Sequence, residues 1–320
     1  MLALQRSRRL TSLVRRHSTA THVLQHATLL TERPRMEELV LVRHGESEGN
    51  VAYQRSLDGD HSLYSGEFLK RHSSLWRLTD RGREQAVAAG QWLRTQVDCR
   101  FDAFFTSEYL RAMETASLLR IPRARWRPEV MFRERDWGDY DLASHHIRNT
   151  TFEAQERRRR RGSIFWAPPG GESLAHVIQR VDSMMLFMNR RFANRRVLAT
   201  CHGELMWAFR FRFERLTQLR YREMAADPQP EDRIHNGQIL IYSRRDPASQ
   251  ALHPQFNWVR SVCPWDLARS GEQARRNLPR PRSISRELPL FRLVESRHES
   301  RRDLPRAGAV AGAGALRRPA

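Results

Sequence analysis

The chain has 320 residues, 40 % of them hydrophobic, which is enough for one large α/β domain with tails or for two small domains. No apolar run reaches the ~20 residues needed to cross a bilayer as a helix, so the sequence reads as a soluble protein. The formal charge of +20 is almost all arginine, Lys70 being the only lysine, and it gathers in the tails: residues 1–35 hold a net +6 and residues 276–320 a net +7. The smaller basic excess of the middle suits an anionic substrate. The basic tails read as solvated arms, with nucleic acid or anionic lipid as the alternative contact. Cys99, Cys201 and Cys263 show neither CxxC spacing nor a histidine at zinc-ligand spacing, which argues against a disulfide framework or a structural zinc and for a reducing compartment.

Residues 1–35 form a basic N-terminal extension. Residues 1–31 contain no acid and set arginines among serine and leucine, the composition of a mitochondrial transit peptide. The preferred reading is upstream sequence before a start at Met36, giving a cytoplasmic protein; the mitochondrial matrix is the alternative. The folded domain is expected over 36–268. Beyond it, 269–320 is an Arg-, Pro- and Ala-rich tail that cannot bury enough apolar surface to order itself.

Within 36–268, short apolar runs at Leu39–Val42, Phe101–Thr106, Val197–Thr200 and Ile239–Tyr242 read as buried strands. Thr79 or Asp80 caps a helix through Gln85, Ala89 and Trp92, and Ser107 caps another through Ala112, Ala116 and Leu119. Leu174, Val177, Ile178, Val181, Met185, Met188 and Phe192 fall on one helical stripe and read as core. This alternation predicts a three-layer α/β sandwich, a mostly parallel central sheet with helices on both faces, whose ligand sits at the carboxyl ends of the strands.

The chemistry concentrates at those ends. Leu41-Val42-Arg43-His44-Gly45-Glu46-Ser47 is a strand ending in Arg-His-Gly: the arginine offers a fork of donors to phosphate oxygens, and the glycine lets a ligand approach the backbone. Val197 to Glu204 repeats the pattern, a strand ending in His202-Gly203-Glu204. A third strand ends near Thr106, and Arg111 follows in the first helical turn, where the helix dipole already favours anions.

These motifs together resemble the histidine phosphatase, or phosphoglycerate mutase-like, superfamily. The match runs over most of 38–243 and includes Leu78-Thr79-Asp80-Arg81-Gly82 to Ala86, Ser107 to Ala116 and His202-Gly203. Glu108 departs from it, standing where many members have proline. The resemblance implies that His44 attacks phosphorus and becomes phosphohistidine, and that Arg43, Arg111 and His202 act as three cations on the phosphoryl oxygens, with Asn50 adding a hydrogen bond and Gly203 belonging to the same site. It needs no metal and no cofactor. Phe132 to Gly138 resembles the segment that supplies the proton donor, assigned to Glu134 with Asp136 as runner-up. Glu172, Arg71 and Asp136 are candidates for the substrate rim, Glu172 from the Gly-Glu-Ser loop before the amphipathic helix, Arg71 from an insert over 51–77 that carries arginines, histidines and hydroxyls, and Asp136 from the acid segment itself. The Arg157–Arg161 run reads as a solvated face. Cys201 lies beside His202, so its oxidation or alkylation is expected to lower activity.

The expected activity is therefore hydrolysis of a small phosphomonoester. A phosphoglycerate mutase-type phosphotransferase and a non-catalytic phosphate-binding module are the alternatives, and the mutase segments that follow the acid region are not evident. Phe291 alone among the C-terminal arginines gives base stacking little support. The sequence leaves a homodimer open.

Overall fold

The computed structural model describes residues 35–161, 163–226, 232–270 and 276–277. The expected extension lies outside the described residues apart from Arg35, and the expected tail lies outside them apart from Arg269, Ser270, Arg276 and Asn277.

Seven strands form one mixed sheet: β1 (Glu38–Arg43), β2 (Ala103–Thr106), β3 (Trp126–Pro128), β4 (Arg196–Cys201), β5 (Ile239–Ser243), β6 (Trp258–Val262) and β7 (Arg276–Asn277), in the order β3-β2-β4-β1-β5-β6-β7. Strands β3, β2, β4 and β1 run parallel, while β5, β6 and β7 add antiparallel. The expected α/β sandwich is present, but the sheet is parallel only in the half that the βα alternation builds. β5, β6 and β7 lie outside the βα alternation, and each pairs antiparallel with its neighbour.

Alternation along β1 divides the core in two. Leu39 and Leu41 pack with the buried stripe of a long helix, Leu174–Arg191. Val40 and Val42 pack on the opposite face with Ala89 and Leu93 of the helix Asp80–Gln96. Thr79 caps that second helix, its Oγ1 accepting from Gly82 N at 3.0 Å. Numbered in chain order, the helices are α1 (Glu48–Leu57), α2 (Gly66–Lys70), α3 (Asp80–Gln96), α4 (Leu110–Leu118), α5 (His145–Thr150), α6 (Glu153–Arg160), α7 (Leu174–Arg191), α8 (Gly203–Phe213) and α9 (Gln218–Ala226). Among the described residues, no helix is long and apolar enough to cross a membrane.

Register positions the site. Arg43 lies opposite Cys201 and Thr106 opposite Thr200, so His44, His202 and Ser107 leave three adjacent parallel strands at one level. Two expectations need correcting. Ser107 is not the cap of α4, which begins at Leu110 behind Tyr109; its hydroxyl is used elsewhere. Pairing also continues past 268: β7 extends the sheet, and Ser270 Oγ accepts from the buried Cys263 N at 2.9 Å.

Candidate active site

His44 is 2 % exposed at the tip of β1. Its Nδ1 lies 2.7 Å from Gly45 O, a partner that can only accept, so Nδ1 carries the hydrogen and Nε2 the lone pair. Arg111 Nε donates to that Nε2 at 3.2 Å. Burial, then the charges of Arg111 and Arg43, hold the His44 pKa well below its ordinary value, so the imidazole is neutral.

The loop after His44 is fixed by the Leu-Thr-x-x-Gly-x-x-Gln-Ala segment, whose purpose the sequence alone left open. A Cβ on Gly45 would come 2.0 Å from Gly82 O, and a Cβ on Gly82 would come 2.0 Å from Glu46 O. Two backbones thus touch where neither tolerates a side chain. Gln85 Oε1 accepts from Glu46 N at 2.8 Å, and Thr79 N donates to Glu46 O at 3.0 Å. From the other side, Gly45 N donates to Thr115 Oγ1 at 3.2 Å.

His202 is fully buried, with its ring centroid 5.0 Å from that of His44. Ser107 Oγ accepts from Tyr109 N at 3.3 Å and lies 2.8 Å from His202 Nε2. His202 Nδ1 is buried with no partner among the described residues, and it carries the hydrogen in the tautomer in which Ser107 donates to Nε2. Burial, Arg111 and His44 keep His202 neutral too. Of the expected set of three, Arg43 and Arg111 carry fixed charge, and burial with its cationic neighbours holds His202 toward its neutral form. Arg43 Nη1 donates to Ile234 O at 2.6 Å, while its buried Nε is unpartnered and lies 3.2 Å from where a Cβ on Gly203 would stand. Glycine at 203 keeps that guanidinium clear. Arg111 Nη1 is steadied by Ser73 O at 2.7 Å. Asn50 Oδ1 accepts from Ser47 N and Asn236 Nδ2, so only its own amide hydrogens remain for a ligand.

Glu134 faces the same cleft, with Oε1 accepting from Arg135 N at 2.9 Å. Burial first, and then the neighbouring Glu204, push its carboxyl up to about 6, against the pull of Arg111 and Arg43. Its main chain is braced from below. Arg180, 8 % exposed, donates to the carbonyls of Met131, Arg133 and Glu134 and pairs with Glu172 at 2.9 Å.

The cleft has a volume of about 370 Å³ and brings together His44, Arg43, Asn50, Arg111, Glu134 and Gly203. The three rim candidates are placed differently. Asp136 is exposed and accepts from Gly138 N at 2.8 Å, a turn contact outside the cleft. Glu172 is bound by Arg133, Arg180 and Asp136 N, so it braces the acid segment without touching the cleft. Arg71 forms a two-pronged pair with Glu48 at 3.1 and 3.3 Å. In each case a nearby opposite charge or free backbone donor claims the side chain.

Several lining residues were not anticipated. The 51–77 insert presents Tyr53, Tyr64, Ser73 and Trp76 to the cleft, not its arginines and histidines. Arg159, from the run read as a solvated face, lines it beside Arg148. Glu204 and Trp207 come from α8. A signal for these two was present, since positions 203, 204 and 207 share one helical face beginning at the strand tip. A second cavity of about 580 Å³ shares Arg43, Asn50, Tyr53, Trp207 and Ile234 with the first. Among the described residues, no three His, Cys, Asp or Glu side chains converge as a metal site.

This fold, with a phosphate-sized cradle at the strand tips, defines a class, and comparison identifies it. The model of the histidine phosphatase superfamily (branch 1) matches residues 39–230. The chain belongs to that superfamily. It is 33 % identical over 217 residues to the 2,3-bisphosphoglycerate-dependent phosphoglycerate mutase of Methylobacterium radiotolerans, covering 64 % of this chain and 88 % of that one. It is 32 % identical over 192 residues to the mutase of the same name from Methylocella silvestris, covering 56 % and 82 %. The crystal structure of the alpha-ribazole phosphatase from Shigella flexneri superposes with a TM-score of 0.51 at 21 % identity, over 68 % of this chain and 96 % of that one, a likeness of fold.

Proposed function

We propose that this enzyme hydrolyses a phosphomonoester through a phosphohistidine on His44. The observation that carries the reading is a buried, neutral His44 at the cleft whose Nε2 lone pair is met by Arg111 Nε, with two buried nitrogens beside it that have no partner among the described residues, Arg43 Nε and His202 Nδ1. Phosphoryl oxygens would satisfy both. In the first step Nε2 bonds to phosphorus, the bond to the leaving oxygen breaks, and protonated Glu134 gives that oxygen its proton. In the second, the Glu134 carboxylate takes a proton from water, the water oxygen bonds to phosphorus, and the P–N bond breaks to release phosphate and neutral His44. Arg43 and Arg111 supply the charge stabilisation, and no step in this reading calls for a metal.

A phosphoglycerate mutase is the second reading, favoured by the names of the curated relatives. Against it stands the stretch after the acid segment, Gly138 to Ser144 and the arginine-rich run beyond it, in which the mutase segments are not evident. The deciding experiment is hydrolysis of an aryl phosphate in EDTA by wild type and His44→Ala. Turnover that survives chelation, needs no bisphosphorylated primer and vanishes in the variant supports the phosphatase. Turnover of 3-phosphoglycerate that requires 2,3-bisphosphoglycerate replaces it with the mutase. Activity persisting in the variant removes His44 as nucleophile.

A further inference from the structure

The phosphate end of the cleft is built, but the group attached to the phosphorus must also be held. α8 leads from one to the other. Gly203, its first residue, lies against Arg43. Trp207 follows four residues on, on the same helical face and about 6 Å along the axis, one turn away. That is the separation between a bound phosphoryl group and the body of its ester. Trp207 lines both the catalytic cleft and the adjoining cavity.

Its ring is held before any ligand arrives. The guanidinium of Arg210 lies over one face, 4.4 Å from the ring centroid, and Tyr221 meets the ring edge-on at 5.5 Å. Arg210 is itself immobile: it is 2 % exposed, paired with Glu214 at 3.0 Å and donating to Asp232 O at 2.6 Å. Trp207 also packs in part against the core, yet it stays half-buried and leaves part of its ring to both cavities. The other aromatic rings of the cleft offer less. Trp76 is stacked on Phe68 at 4.8 Å and pressed against Gly49, Tyr64 is a smaller ring already met edge-on by Phe68 at 5.3 Å, and Tyr53, Tyr109 and Trp137 each carry a cleft-lining arginine over the ring.

We infer that Trp207 is a stacking platform for the leaving group, and that the enzyme selects phosphomonoesters whose alcohol is planar and aromatic over those of small polyols. The inference rests on the phosphomonoesterase reading. It goes further in naming the substrate class and the residue that sets it. A preformed aromatic face costs little entropy to use, and stacking is favourable for any π system presented to it.

The test compares 1-naphthyl phosphate with glycerol 3-phosphate on wild type, Trp207→Leu and Trp207→Phe. Leucine keeps an apolar side chain against the core and removes the ring; phenylalanine keeps a ring. Alongside turnover, calorimetry measures binding of benzylphosphonate and propylphosphonate, which resist hydrolysis. The expected result is a rise of about tenfold in KM for the naphthyl ester and in Kd for benzylphosphonate in Trp207→Leu, restored to within about threefold by Trp207→Phe, with the alkyl pair changed less than about twofold. Equal shifts for aromatic and alkyl ligands, or none for either, would overturn the platform. Should wild type hydrolyse no phosphomonoester, the phosphatase reading fails, and the phosphonate pair still decides whether Trp207 selects aromatic groups.

Discussion

Burial of the Glu134 carboxyl, reinforced by the neighbouring Glu204 charge, sets how activity should vary with pH. Glu134 must be protonated to serve an alkoxide leaving group. Its carboxyl is raised to about 6, so the competent form is present below that pH and is lost as pH rises through it. For an alkyl phosphate, kcat/KM should fall above about pH 6, whereas an aryl phosphate with a stable phenolate should show little of this fall. Glu134→Gln should flatten the difference, and Glu204→Gln, by removing the nearby negative charge, should move the fall to lower pH. A pH profile that is the same for both esters in wild type would remove Glu134 as the acid. The thiol beside the site is a separate matter. Cys201 was expected to make the enzyme sensitive to alkylation, but it is fully buried, and burial followed by the Glu134 charge pushes its pKa up. Native protein treated with iodoacetamide should carry the label at Cys99 and retain activity, as mass spectrometry and an assay would show. At this scale the sequence was most informative where a residue's position follows from a strand end. Arg43, His44, His202 and Arg111 lie within a few residues of one, and Glu134 lies in a recognisable segment. Glu204 and Trp207 needed the phase of a helix, and Asp136 and Glu172 could be told from Glu134 only by seeing which charges claim them.

Each element around the cleft does a mechanical job. α3 delivers Gly82, and its backbone replaces a side-chain contact beneath the nucleophile loop. Gly82→Ala would drive a methyl group into Glu46 O, so the loop or the helix must move; a loss of about 3 kcal/mol is expected, with activity falling alongside stability. α7 delivers Arg180, the anchor of the acid segment, which Glu172 neutralises. Glu172→Ala leaves a guanidinium that is 7 % exposed without its carboxylate, at a cost of about 3 kcal/mol. Its catalytic signature should be a lower kcat at nearly constant KM, because the acid is displaced while the phosphate cradle is untouched. A variant with unchanged kcat would mean that the segment holds its place without the pair. The helices α1, α2, α5 and α6 were not read from the sequence for a physical reason: they are short, and α6 is almost wholly charged, so none shows an apolar stripe long enough to register. α7, with its stripe of buried aliphatic and methionine side chains, was legible from end to end.

Over the whole molecule, β1, β2, β4 and the antiparallel β5 could be predicted, because strands buried on both faces read as unbroken apolar runs, whereas the three-residue, largely exposed parallel edge strand β3 could not. Nor could the antiparallel edge beyond β5. β6 reads Trp-Val-Arg-Ser-Val with only Val259 and Val262 buried, so it shows neither an unbroken apolar run nor a period of two, and β7 is two residues long, too short to carry a pattern. This moves the expected end of the fold. A chain ending at 268 would lack Ser270 and β7 and leave the Cys263 N–H buried without its acceptor, a cost of about 1–3 kcal/mol. We propose that the folded unit runs from about residue 35 to 279. Thermal unfolding should show the chain truncated after 279 melting with the full-length protein and the chain truncated after 268 melting several degrees lower, as expected of a loss of ~1–3 kcal/mol in a domain of this size.

Arginine has displaced lysine almost everywhere, and the exception is well sited. Lys70 closes α2, two residues from Phe68, whose ring stacks on the cleft-lining Trp76, and its largely exposed ammonium pairs with Glu67 at 2.8 Å. Amine-directed reagents, which decorate most proteins at many points, would find one side chain here besides the α-amino group. A dye attached to it would sit behind the cleft-lining Trp76 with no mutagenesis, and its anisotropy would report whether that segment tightens when a phosphate ester binds.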